Sequence, residues 1–115
     1  MNRVFESWSP NNADIVLSRQ RDASVVEQAF VYAISQGSES SQELFERRLR
    51  PQFDSNNAAP SGLWFDDAEA PIVVDALATF ARNLPETNRN FIVRRRTESL
   101  IGAIAIVARH DYTAV

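Results

Sequence analysis

The chain has 115 residues, a formal charge of −3 and a pI near 5.1; 44% of its residues are hydrophobic, 23% are charged, and it has no cysteine and one histidine. That is the size and composition of a single globular domain with one core. Zinc sites of the usual kinds, thiol nucleophiles and disulfides are excluded or nearly so, and no excess of positive charge marks a protein devoted to neutralising phosphates. Every basic residue is arginine, a pattern that coding bias explains more simply than selection for forked donors. The start, Met-Asn-Arg-Val-Phe-Glu-Ser-Trp, lacks an apolar signal region, so the expected location is cytoplasmic.

Residues 2–9 form a short arm carrying Val4, Phe5 and Trp8. Ser9-Pro10 is a favourable helix opening, with proline at a position whose N–H would have no partner anyway. Beyond it Val16, Ala23, Val26, Phe30 and Ala33 recur at helical spacing, although Ile15 to Arg19 also reads as a strand. Ser24 and Glu27 form a capping box, which predicts a helix from Ser24 to Gln36 with Gly37 just past its end. A second box, Ser40 with Glu43, opens a helix through Leu44, Phe45 and Leu49 that Pro51 should stop. Its acids come early and Arg47, Arg48 and Arg50 come late. That order suits the helix dipole, and Glu43–Arg47 and Glu46–Arg50 are spaced for ion pairs.

The irregular loop is expected at about 51–63, where Asp54, Ser55, Asn56, Asn57, Pro60, Ser61 and Gly62 cluster. It is not a domain boundary, since neither half is long enough for its own core. Leu63-Trp64-Phe65 then precedes Asp66 and Glu69, which read as another capping box with an apolar staple before it. Pro71 falls in the first turn of the next helix, which Val73, Leu77, Phe80 and Leu84 carry as far as Pro85. From residue 91 two readings compete. The β-branched residues suit an antiparallel hairpin over 91–109 turning at Thr97 to Ser99; the alanines, Gly102 and the lack of alternating polarity favour a helix. The run Leu100 to Ala108 has no polar side chain, is too short to cross a bilayer, and is expected inside the core.

The fold class that follows is all-α, one domain over 1–115 with about four helices; the alternative is α+β with the terminal hairpin. Five features bear on function. Arg94, Arg95 and Arg96 offer guanidiniums that grip phosphates, and would form a basic surface only if Arg47, Arg48 and Arg50 lay beside them. Asp66, Asp67 and Glu69 bring carboxylates together, but capping accounts for them and no calcium-loop pattern is present. His110 beside Asp111 has no nucleophile placed to complete a catalytic set, and the ending Thr113-Ala114-Val115 is a weak match to a captured carboxyl terminus. Trp8, Trp64 and Phe65 flank polar segments, as interface anchors do. Phosphate loops and nucleophile elbows are missing. The expectation is a non-catalytic interaction or regulatory module that needs no cofactor or metal, associates with itself or another protein and does not enter a membrane; arginine-mediated binding of nucleic acid or phosphate is the alternative.

Overall fold

A computed structural model describes residues 15–17, 19–56 and 63–108. Its described residues form a small helical bundle of four rods with a two-stranded ribbon. Strand β1 is Ile15–Leu17, α1 is Gln20–Ser35, and α2 runs through three consecutive pieces: Glu39–Leu44, a π turn at Phe45–Leu49, and Arg50–Asn56. Strand β2 is Leu63–Phe65; after a 3-10 turn at Asp67–Glu69 come α3, Ala70–Arg82, and α4, Asn88–Ala108. One core gathers Val26 and Phe30 of α1, Leu44 and Leu49 of α2, Val73 and Leu77 of α3, and Leu100 and Ile104 of α4 around the inner face of the ribbon. The segments before and after residues 57–62 therefore share a single apolar interior.

The ribbon is the strand alternative at Ile15 to Arg19, realised over three residues. β1 and β2 pair antiparallel, Ile15 with Phe65, Val16 with Trp64 and Leu17 with Leu63. Period-two alternation sends Ile15, Leu17, Leu63 and Phe65 into the core and leaves Val16 and Trp64 half-buried on the other face. Val16 thus belongs to a strand, not to the helical stripe. The helix opening expected at Ser9-Pro10 lies outside the described residues.

α1 begins four residues before the capping box at Ser24, with Arg19 as its cap residue. Starting there buries Ala23 and Val25, which outweighs a surface capping box; Ser24 becomes an exposed interior position whose hydroxyl accepts from Gln28. The other end is as expected. Gly37 has φ +89°, and the N–H groups of Gly37 and Ser38 reach the carbonyls of Ile34 and Ala33, the pattern that a left-handed residue makes possible. Ser38, not Ser40, caps α2: its Oγ accepts the Ser41 N–H at 3.3 Å.

Pro51 does not stop α2, which continues to Asn56, so the expected loop loses its first six residues to a helix. A proline inside a helix lacks a donor and crowds the carbonyl four residues back. The wider winding of Phe45–Leu49, closed by the Arg50 N–H on the Phe45 carbonyl, loosens that stretch just before the ring. Phe30 stacks on Phe45 at 6.1 Å and Phe45 meets Phe53 at 6.2 Å, so packing on α1 holds the widened rod in place.

Residues 88–108 are helical, which removes the hairpin alternative. Thr97, where the hairpin would turn, is fully buried, and its hydroxyl donates to the Val93 carbonyl at 2.7 Å and leaves the helix intact. The apolar run beyond it is only half inside, contrary to expectation. Leu100 and Ile104 are buried and Ile101 partly so, whereas Ile106 is 79% and Val107 48% exposed. A 3.6-residue period turns any continuous apolar run through all directions, and the bundle lies on one side only. Ile104→Ala should therefore lower unfolding free energy by about 2–5 kcal/mol, while Ile106→Ala should change it by less than about 0.5 kcal/mol. Urea titration of the two variants distinguishes them; equal losses would contradict the observed orientation of α4.

Candidate functional site

The acidic residues before α3 build the most tightly bonded polar cluster in the described chain. Glu69 is nearly buried, and its carboxylate accepts from Arg47 Nη1 at 3.1 Å, from Arg48 Nε at 3.1 Å and from the Asp66 N–H at 2.8 Å. Arg48 Nη2 also reaches Asp66 Oδ2 at 2.9 Å, and the Asp66 side chain closes the capping box on the Glu69 N–H. The guanidinium of Arg48 sits 4.5 Å above the Trp64 ring. Gln52 completes the joint by donating to the Trp64 and Arg48 carbonyls at 2.9 Å and accepting the Trp64 N–H at 3.0 Å. The expected Asp66–Glu69 box is present, but the Glu43–Arg47 pair is replaced by Arg47–Glu69, because Glu69 is the more buried acceptor. Glu46–Arg50 forms as expected at 2.8 Å.

These contacts account for three of the arginines and two of the aromatics. Arg47 and Arg48 are held by Glu69 and Asp66, and Arg50 lies between Glu46 and Asp54. Phe65 is fully buried in the core, which takes it out of any surface role, and Trp64 is half-covered by Arg48. Trp8, His110, Asp111 and Thr113-Ala114-Val115 lie outside the described residues.

Arg94, Arg95 and Arg96 fan out around α4 to three different surroundings. Arg94 turns inward and donates to the Ala81 and Leu84 carbonyls at 3.1 and 2.8 Å, satisfying acceptors at the end of α3, with Glu86 at 3.5 Å. Arg95 lies 5.8 Å over the Phe91 ring. Arg96 meets neither Arg47 nor its neighbours; it lines a cavity of about 500 Å³ with Arg19 and Arg21 from the start of α1, together with Asp22, Ser99, Leu100 and Ala103. Nothing local in the sequence links residues 19 and 21 to residue 96; only the fold brings these arginines to one cavity.

The remaining feature is the outer face of α4. Of the five large hydrophobic side chains most exposed among the described residues, four lie on this helix: Phe91 at 55%, Ile92 at 59%, Ile106 and Val107. Among the described residues, no group of three His, Cys, Asp or Glu side chains is arranged to hold a metal ion, and no helix is long and apolar enough to cross a membrane. The chain matches no family model, and neither a curated protein nor a solved structure matches it.

Replacing Glu69 by Gln leaves two arginines beside a neutral amide and should cost about 3 kcal/mol of stability, as breaking a buried pair does, whereas Asp54→Asn at the exposed end of α2 should cost less than about 1 kcal/mol. Thermal unfolding of both variants checks this; a Glu69→Gln protein as stable as the wild type would show that the cluster is ornamental to the fold.

Proposed function

We propose that the protein is a non-catalytic interaction module that associates with a second copy of itself through the outer face of α4. The supporting observation is the placement of the four exposed hydrophobics on that helix. Ile92 and Ile106 stand seven residues on either side of Ser99, and Phe91 and Val107 stand eight. In an antiparallel pair of α4 helices related by a two-fold axis at Ser99, Ile92 of one copy faces Ile106 of its partner, and Phe91 and Val107 line the two opposite flanks of the contact. Such a contact is self-complementary by construction, as a two-fold interface must be.

The middle of the same face is built from small residues. Ser99, Gly102 and Ala103 are exposed, and a Cβ at Gly102 would meet nothing within 4 Å, so a second helix has a clear approach at the 8–10 Å separation of packed helices. Arg95 of one copy falls opposite Ala103 of the other, where its long side chain has room. A single helix pair covers less than the roughly 800 Å² per partner of a standard interface, so association is expected in the micromolar range. The anchors are thus Phe91, Ile92, Ile106 and Val107, in place of Trp64 and Phe65.

Sedimentation velocity across micromolar concentrations should show a reversible dimer for the wild type and for Trp64→Ala, and a monomer for Ile106→Asp. Because the chain has no cysteine, Ser99→Cys should also form a covalent dimer on mild oxidation faster than a cysteine placed at the exposed Gln28 of α1. A wild type that stays monomeric, with no preference between the two cysteine variants, would refute self-association through α4.

A further inference from the structure

We propose that the cavity between the start of α1 and the middle of α4 binds a small diphosphate-bearing anion, held by Arg19, Arg21 and Arg96. Arg19, the cap residue of α1, Arg21 in its first turn and Arg96 of α4 line one cavity of about 500 Å³. Among the described residues none of the three forms an ion pair or a side-chain hydrogen bond, in contrast to Arg47, Arg48, Arg50 and Arg94, each of which has an acidic partner. Asp22 is the one carboxylate among the described lining residues; set against three arginines it leaves two positive charges in excess there. Gathering like charges without partners is unfavourable, and an anion in the cavity reverses the sign of that energy.

The chemistry of the lining narrows the ligand. Arginine forks match phosphate oxygens with two parallel hydrogen bonds each, so three of them provide more donors than one carboxylate can use. The volume lies within the roughly 300–1,000 Å³ range of small-ligand sites. Leu100 and Ala103 are the apolar residues of the described wall, which has no aromatic ring on which a base could stack. Recognition would therefore be of the phosphates and not of a nucleobase.

This inference does not rest on self-association, and its test is built to be independent of it. Ser99 and Ala103 line both the cavity and the proposed dimer contact, so the titration is also run on the monomeric Ile106→Asp variant, in which binding should be retained. Isothermal titration with inorganic pyrophosphate at low salt should show one site per chain. Arg19→Gln with Arg21→Gln, and separately Arg96→Gln, should each weaken it at least about tenfold, the effect of losing charge-assisted hydrogen bonds. Arg89→Gln, an exposed arginine of α4 outside the cavity, should bind as the wild type does. Circular dichroism of each variant should match the wild type, since all four arginines are at least partly exposed. Absence of pyrophosphate binding by the wild type would overturn the proposal. So would equal weakening by Arg89→Gln, which would mean diffuse charge attraction, or binding of a single-stranded oligonucleotide without binding of pyrophosphate.

Discussion

The carboxylate of Glu69 is the point at which the halves of the chain are joined. It sits where α2, β2 and the start of α3 meet: it accepts from two guanidiniums of α2 and from the Asp66 N–H that follows β2, while the Asp66 side chain accepts the Glu69 N–H in return and fixes the turn leading into α3. A nearly buried carboxylate is costly unless its acceptor sites are filled with good geometry, and here they are. The consequence extends outward. With Arg48 fixed by Glu69 and Asp66, its guanidinium covers Trp64, and Gln52 can tie the outer edge of β2 to α2. β2 in turn provides the only partner for β1 among the described residues, so the register of the ribbon depends on the same joint.

Placing charge in this joint also decides what the protein has left to offer a partner. Acids that resemble a metal site or an acid–base pair are committed to holding helices together, and the arginines of α2 are committed with them. Among the described residues, what remains on the surface is concentrated on α4: an apolar outer face and, at its edge, a cavity that Arg96 lines together with Arg19 and Arg21. α4 is therefore a two-faced helix, with Thr97, Leu100 and Ile104 against the core and Phe91, Ile92, Ile106 and Val107 turned away from it. A helix apolar on both sides would ordinarily lie in the middle of a larger bundle. In a bundle of this size it lies at the periphery.

Much of the helical architecture was legible from local rules. Gly37 ends α1 because it takes a conformation other residues avoid, the Asp66–Glu69 box and Pro71 mark the start of α3, and Val73 and Leu77 point inward at helical spacing. The departures share a cause. Ser24 lost to Arg19 as the start of α1 because Ala23 and Val25 found a core to enter; Pro51 was carried inside α2 by a π turn braced on Phe30; and Leu63 to Phe65 became a strand because Ile15 to Leu17 lay alongside. Each is a case of tertiary burial outweighing a local signal worth about 1 kcal/mol.

By itself, then, the order of residues determined the number of rods, the boxed start of α3, the glycine end of α1 and the absence of cysteine chemistry, since these depend on composition or on neighbours within one or two turns. Only the tertiary structure decided which side of the Leu100–Ala108 run meets the core, which carboxylate takes Arg47, and which arginines join Arg96. Those outcomes depend on contacts between residues twenty to eighty positions apart, and no periodicity along the chain encodes what another segment will bring to the same place.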